Sequence, residues 1–413
     1  MFEKYGLRIP EILLPDERYD YSKWAVIACD QFTSQPDYWD KVRSRVIGIP
    51  STLHITYPEA WLNQGDQRIE TINQTMLDYE KNVLTRTVRG MVLVEREIET
   101  GSRIGLMAAV DLEKYDFSKG SQSLIRATEG TVLERIPPRV KIRKNAALET
   151  PHILVLVNDP GRTLINPLYA ARNSLKKLYD FDLMLGGGHI RGWLVDDFAS
   201  VLPALEELYR AADGLLFAVG DGNHSLATAK QCWLNIRGML TEEERENHPA
   251  RFALVELTNL HDDALQFEPI HRVVFGVEPT ELSYDLGVWL SRQGMKLTVC
   301  TADQAMFRWV HDFRTLPYTI GNINQPLPLA VLQQFLDEWI EKHPDASIDY
   351  IHGEAAVREL TEGRKATGIL LPAMDKFILF EAVRKGGALP RKAFSMGEAV
   401  EKRYYLECRR IQP

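Results

Sequence analysis

Cysteine is scarce in this chain: four residues in 413, Cys29, Cys232, Cys300 and Cys408, with no CxxC pair among them. That spacing argues against a zinc cluster or a disulfide framework and fits a reducing compartment. No apolar run is long enough to span a bilayer. Residues 1–10 lack an apolar signal core, so the expectation is a soluble, cytoplasmic protein with no membrane partner. An excess of positive charge is missing too, the formal net charge being −8. A general nucleic-acid surface is therefore not expected, although a local basic patch remains compatible with that balance. Internal repeats and low-complexity tracts are absent. What is present is a globular composition, 45% hydrophobic and 26% charged, over a length sufficient for two or three domains.

Apolar runs alternate with helical patterns, which implies an α/β chain with mixed sheets and flanking helices. Strands are expected at residues 21–29, 90–98, 103–112, 152–157, 182–185, 192–195, 215–219, 251–257 and 376–380. Helices are expected at 37–46, 69–84, 166–179, 198–212, 226–233, 284–291, 329–342 and 398–409. Residues 99–102 read as a hairpin turn. The division expected is an N-terminal α/β unit (1–115), a phosphate-binding core (116–276) and a smaller C-terminal lobe (277–413), whose last segment packs back on the core.

The most informative stretch is Gly220-Asp221-Gly222-Asn223-His224-Ser225, set between an apolar strand pattern and a helix pattern. A turn needing two glycines at a helix start offers backbone N–H groups to an anion, and Gly222 lets a ligand approach the backbone closely. Asp221 repels phosphate but makes sense as a metal ligand or as a partner for a substrate donor, with His224 beside it. An ordinary turn with Asp221 or Asn223 as helix cap accounts for the same residues.

A second constellation runs from Arg126 and Glu129 through Arg135 and Arg139 to Lys144, the most basic segment of an acidic chain. Arginine forks match carboxylate and phosphate oxygens, so Arg126 and Arg139 are candidate anion ligands. Glu129, embedded among them, is either their counter-ion or a general base held ionised by them. Asp30, at a strand exit, and the pair His271 and Arg272 are further candidate substrate ligands; a cap or structural role fits each as well.

Taken together, these phrases resemble the bacterial and archaeal family labelled domain of unknown function 1015. The likeness extends over Trp24-Ala-Val-Ile-Ala-Cys29-Asp30-Gln31, residues 126–129, 136–143, 220–224, 270–272 and 390–403. More remotely, the turn at Asp221 resembles the Asp-Gly-His-His-Arg turn of free-serine kinases in the ParB/sulfiredoxin-like superfamily. That resemblance implies a ParB/sulfiredoxin-like core with insertions, a nucleotide (ADP or ATP) whose phosphate sits at the turn, and a glutamate that activates a hydroxyl. Glu129 falls where that glutamate is expected in chain order. Thr128, Asn223 and Ser225 replace two histidines and an arginine of the kinase pattern. The resulting expectation is a Mg²⁺-assisted phosphotransferase acting on a small polar hydroxyl compound. Glu129 would be its base, Asp221 would hold the metal or the substrate hydroxyl, and residues 222–225 would cradle phosphate. A nucleotide-binding regulator without turnover, or a metal-dependent hydrolase or phosphatase using Asp221 and His224, are the alternatives.

Overall fold

A computed structural model describes residues 1–33, 35–131, 133–312, 314–323 and 328–413. The chain forms two compact units: Met1–Gln266 together with Gly397–Pro413, and Phe267–Met396. Both are mixed α/β.

The first unit is built on a ten-stranded mixed sheet. Its principal strands are β1 (Met91–Ile98), β2 (Gly101–Asp111), β3 (Ile125–Ala127), β4 (Leu154–Val157), β5 (Lys176–Asp182), β6 (His189–Val195), β7 (Phe217–Asp221) and β8 (Phe252–Asn259). They lie in the order β5-β6-β1-β2-β8-β4-β7-β3. Along β1, Met91 and Leu93 enter one apolar cluster while Val92 and Val94 enter another, so both faces of the sheet are covered. Strands buried on both sides read as continuous apolar runs rather than alternating ones, which is the pattern the sequence shows here.

Two pairings set up the site. β3 runs parallel to β7, with Ala127 opposite Val219. β4 runs antiparallel to β7, with Leu154 opposite Asp221. The ends of β3 and β7 and the start of β4 therefore open on one sheet edge. Between Leu154 and Val155 the register shifts, so Gly220 is the extra residue of a β-bulge that ends regular pairing just before Asp221. The division expected at residues 115 and 116 falls inside this unit, because β2 and β3 belong to one sheet.

Several expected elements take another form. Residues 21–24 make a helical turn, Tyr21–Trp24, because the Asp20 carboxylate caps the Ser22 N–H; only Val26–Ile27 is strand. The helix expected over 166–179 stops at Ala170, and Lys176–Asp182 becomes β5, whose Tyr179 is buried beside β6. Residues 184–186 are then a 3-10 turn rather than strand. Residues 376–380 fall in a 3-10 turn and the start of helix Leu379–Gly386. The charged stretch 398–409 is no helix: after a 3-10 turn it runs extended, with Tyr404–Tyr405 paired to Val26–Ile27 and Arg409–Arg410 paired to Leu148–Glu149. Local charge pattern loses here to tertiary pairing.

The second unit holds a sheet in which the strand Phe267–Phe275 pairs with Ser347–His352 and Ala366–Leu370. Helices Pro279–Arg292 and Pro328–Lys342 pack their leucines on Phe307, Trp309 and Ile369. His271 and Arg272 serve this core. His271 Nδ1 accepts the Leu371 N–H at 3.2 Å. The Arg272 guanidinium, fully buried, donates to Gln333 Oε1 at 3.2 Å and to the Lys392 carbonyl at 2.9 Å. Their partners mark both as structural groups of this unit.

Burial pushes the His271 imidazole down to about 4, with Glu354 opposing and Arg272, Arg308 and His352 reinforcing the shift. An unfolded histidine titrates near ~6.5. Below that pH the unfolded chain takes up a proton that the folded unit refuses, so stability contributed by neutral His271 is lost as pH falls from about 6.5 towards about 4. The protection factor of the Leu371 amide, its exchange corrected for the intrinsic pH dependence, is expected to fall over that window. In His271→Gln, whose side-chain oxygen still accepts the N–H, that pH dependence should flatten.

Candidate functional site

The helix α1 of this site (Asn223–Arg237) begins directly after β7. Its N-cap, Gly222, has φ 80° and ψ 25°, the left-handed region, and no side chain caps the helix there. The glycine is required by conformation and space. A Cβ at Gly222 would meet Ile153 Cγ1 at 3.0 Å and Ile153 Cα at 3.1 Å. Close packing on β4, rather than room for a ligand, is what excludes a side chain at this position.

Asp221 does not cap the helix. Its Oδ1 accepts the adjacent Gly222 N–H at 3.0 Å, and its Oδ2 pairs with Lys402 Nζ at 3.2 Å. Asn223, 8% exposed, points back into the protein: its Oδ1 accepts the Thr128 N–H at 3.3 Å. This bond ties the turn to the end of β3, where Glu129 follows as a half-buried residue. The parallel register ends at Ala127 and Val219, and Glu129 and Asp221 each lie two residues beyond that pair.

His152, just before β4, reaches the same place. Its Nε2 lies 3.1 Å from Ser225 Oγ, and its ring packs edge-on to Tyr405 with centroids 5.4 Å apart. Tyr405 donates its O–H to Cys29 Sγ at 2.9 Å. Burial, reinforced by the charge of Asp30, pushes the Cys29 thiol up to about 12, so the sulfur stays protonated and is no thiolate nucleophile. Asp30 is the reverse case. Burial raises its carboxyl, but His152, the Gln31 amide and Lys402 outweigh that and hold it below its ordinary value.

Of the residues singled out by sequence, Asp30, Asp221 and Ser225 are thus linked through His152 and Lys402, Asn223 ties the helix start to the end of β3, and Glu129 follows two residues beyond Ala127. Arg126 is not part of this group. Its Nε donates to the Ser123 carbonyl at 2.8 Å and its Nη2 to the Gly214 carbonyl at 3.0 Å, both at the opposite end of β3. Three cations of the basic segment after it are paired with acids, Arg139 with Glu59, Lys141 with Asp66 and Arg143 with Glu149. His152, Lys402 and Tyr405 were missed by sequence reading. Lys402 and Tyr405 belong to the C-terminal segment, which is held at the site by pairing of Tyr404–Tyr405 with Val26–Ile27 and of Arg409–Arg410 with Leu148–Glu149. No local motif announces that.

Among the described residues, no group of three or more His, Cys, Asp or Glu side chains is placed to hold a metal ion. None of the described helices is long and apolar enough to cross a membrane.

The family profile described as "Protein of unknown function (DUF1015)" matches residues 13–311, and the chain belongs to that family. No curated protein matches the chain by sequence. Among solved structures, a free serine kinase in complex with AMP is similar at 11% identity and a TM-score of 0.42, covering 74% of this chain and 92% of that one. A conserved hypothetical protein from Pyrococcus furiosus is similar at 10% identity and 0.38, covering 73% and 90%. C-terminally truncated SbnI from Staphylococcus aureus is similar at 13% and 0.37, covering 70% and 82%. At these values no residue's role transfers from one chain to another.

Proposed function

We propose that this protein is a nucleotide-dependent phosphotransferase that acts on a small hydroxyl compound. The observation that carries this reading is the meeting, at one sheet edge, of a helix start without a side-chain cap and the buried cation Lys402. Helix N-terminal amides and an ammonium group together form a site for phosphate oxygens. The resemblance of the turn to that of free-serine kinases supports the same assignment. A magnesium ion held through one carboxylate, the nucleotide's phosphates and water needs no preformed three-ligand cluster. Asp221, exchanging its contact with Lys402 for such an ion, is the proposed ligand.

Two carboxylates flank the helix start. Asp30, held below the ordinary carboxylate range, is a weak proton acceptor and is proposed to orient His152 and Lys402. Glu129 is proposed as the base. It takes the proton of the acceptor hydroxyl; the acceptor oxygen bonds to the terminal phosphorus, and the bond to the nucleoside diphosphate breaks.

Calorimetric titration of ADP and ATP with Mg²⁺ tests the reading. The parent chain should bind, and Lys402→Met should weaken binding by about tenfold to a hundredfold, the scale of one charge-assisted contact. Absence of binding to the parent chain overturns the proposal. Binding without transfer to any hydroxyl compound makes the protein a nucleotide-responsive regulator instead.

A further inference from the structure

Beside the helix start, within the first unit, lies a cavity of about 190 Å³. One end carries polar groups: Cys29, His152, Ser225 and Tyr405. The rest of the wall is mainly apolar, with Ile72 and Met76 from helix Asp66–Asn82, Ile142 from helix Ile136–Arg143, and Leu148 and Ile153, interrupted by the hydroxyls of Thr56, Tyr57, Thr150 and Thr228. Charged residues do reach the wall, but they are consumed by one another. Arg139 pairs with Glu59, and Glu149 takes both Arg143 and, at 2.7 Å, Arg409. A charged ligand body entering this space would lose its hydration without gaining a counter-charge.

We infer that this cavity binds the acceptor of the proposed transfer reaction, and that the acceptor is an uncharged alcohol or phenol with an apolar body the size of one ring. Size and polarity set that class. An engineered apolar cavity of about 150 Å³ accommodates benzene, so the present one holds a ring with a short substituent. Ligand pockets of this type bury an apolar body and orient it through a few polar groups at one end. The polar groups nearest the helix start are His152 Nε2 and Ser225 Oγ, 3.1 Å apart, so the hydroxyl of the ligand is oriented at this end of the cavity. The Cys29 thiol beside them is uncharged, so that end also favours a neutral head. A free amino acid, with an ammonium and a carboxylate close together, finds neither charge met. The inference rests on the phosphotransferase reading for the ligand's role as acceptor; the cavity and its chemistry stand independently of it.

The test is calorimetry on the full chain with benzyl alcohol and 4-methylphenol, against glycerol and L-serine, each with and without MgADP. The ring compounds should bind with a negative heat-capacity change, and the polar pair should give no heat. Met76→Trp and Ile142→Trp each fill the cavity and should weaken ring binding by about tenfold or more, with MgADP affinity within about twofold of the parent. Unchanged MgADP affinity also shows that the variant has folded. Absence of ring-compound binding to the parent chain overturns the inference, whether or not MgADP binds, so a variant that fails to fold leaves the test intact. Ring binding that survives both substitutions places the ligand elsewhere and overturns it as well. Ring binding by a chain that ignores nucleotide removes the acceptor role and leaves the phosphotransferase reading, not the cavity, refuted.

Discussion

Glu129→Gln is expected to bind nucleotide about as tightly as the parent chain and to turn over about 10²-fold or more slowly, the scale of losing a general base. The amide keeps the size and hydrogen-bonding reach of the carboxylate but cannot take the acceptor's proton. The placement behind this is specific. Thr128 is bonded to Asn223 at the helix start, so the next residue in the chain leaves β3 at the edge where Asp221 ends β7. Single-turnover phosphoryl transfer, measured beside calorimetric nucleotide affinity, separates chemistry from binding. Equal loss of affinity and rate in Glu129→Gln makes the residue part of the binding surface. Parent-like turnover moves the base elsewhere, and Asp30→Asn then becomes the decisive variant.

The second large effect is on stability. Arg403→Met should destabilise the protein by about 3–5 kcal/mol, because it strands the buried Glu407 without a counter-charge and leaves Glu256 with the more distant Arg103. Arg403 is 1% exposed, and its Nε lies 2.9 Å from Glu256 Oε2 while its Nη2 bonds Glu407; both acids are 0% exposed. Arg103 also approaches Glu256, at 3.8 Å, and Tyr179 donates to Glu407. Arg96 donates to the backbone carbonyls of Gly187, Val400 and Lys402, clamping the same C-terminal segment from the sheet side. Urea unfolding measures the loss. Because Lys402 is the neighbour of Arg403, nucleotide affinity should fall in Arg403→Met as well. Adding Glu407→Gln to Arg403→Met removes the stranded charge, Glu256 keeping Arg103, and should recover a substantial part of the stability. A variant as stable as the parent would mean that the cluster contributes nothing net, as some buried ion pairs do.

The strand–turn–helix around Asp221 was legible because all of its determinants are local. An apolar run ends at a bulge glycine, a second glycine takes the left-handed conformation, and a helix-forming run follows at once. The hairpin of β1 and β2 and helix Asp66–Asn82 were legible for the same reason, their apolar periodicity matching their structure. Residues 166–179 misled because Lys176–Asp182 carries a pattern compatible with either state, and pairing with β6 decides between them. Residues 398–409 misled more deeply. The charged stretch read as a helix, whereas it runs extended and Glu401, Lys402, Arg403, Glu407 and Arg409 are all buried, most of them paired with groups far away in the chain.

Sequence by itself determined the class of fold, the helix start that presents backbone amides and the family to which the chain belongs. It did so through short-range rules: glycine conformation, apolar period and the chemistry of single side chains. Tertiary structure alone decided which ions are partners. It brought His152 to Ser225, carried Lys402 from the far end of the chain to Asp221, and assigned Arg126, His271 and Arg272 to structural duty. The physical reason is that a charge or hydrogen-bonding group has no preferred partner along the chain. Its partner is fixed when strands pair and burial removes water as the alternative, and only then does a scattered set of residues become a site.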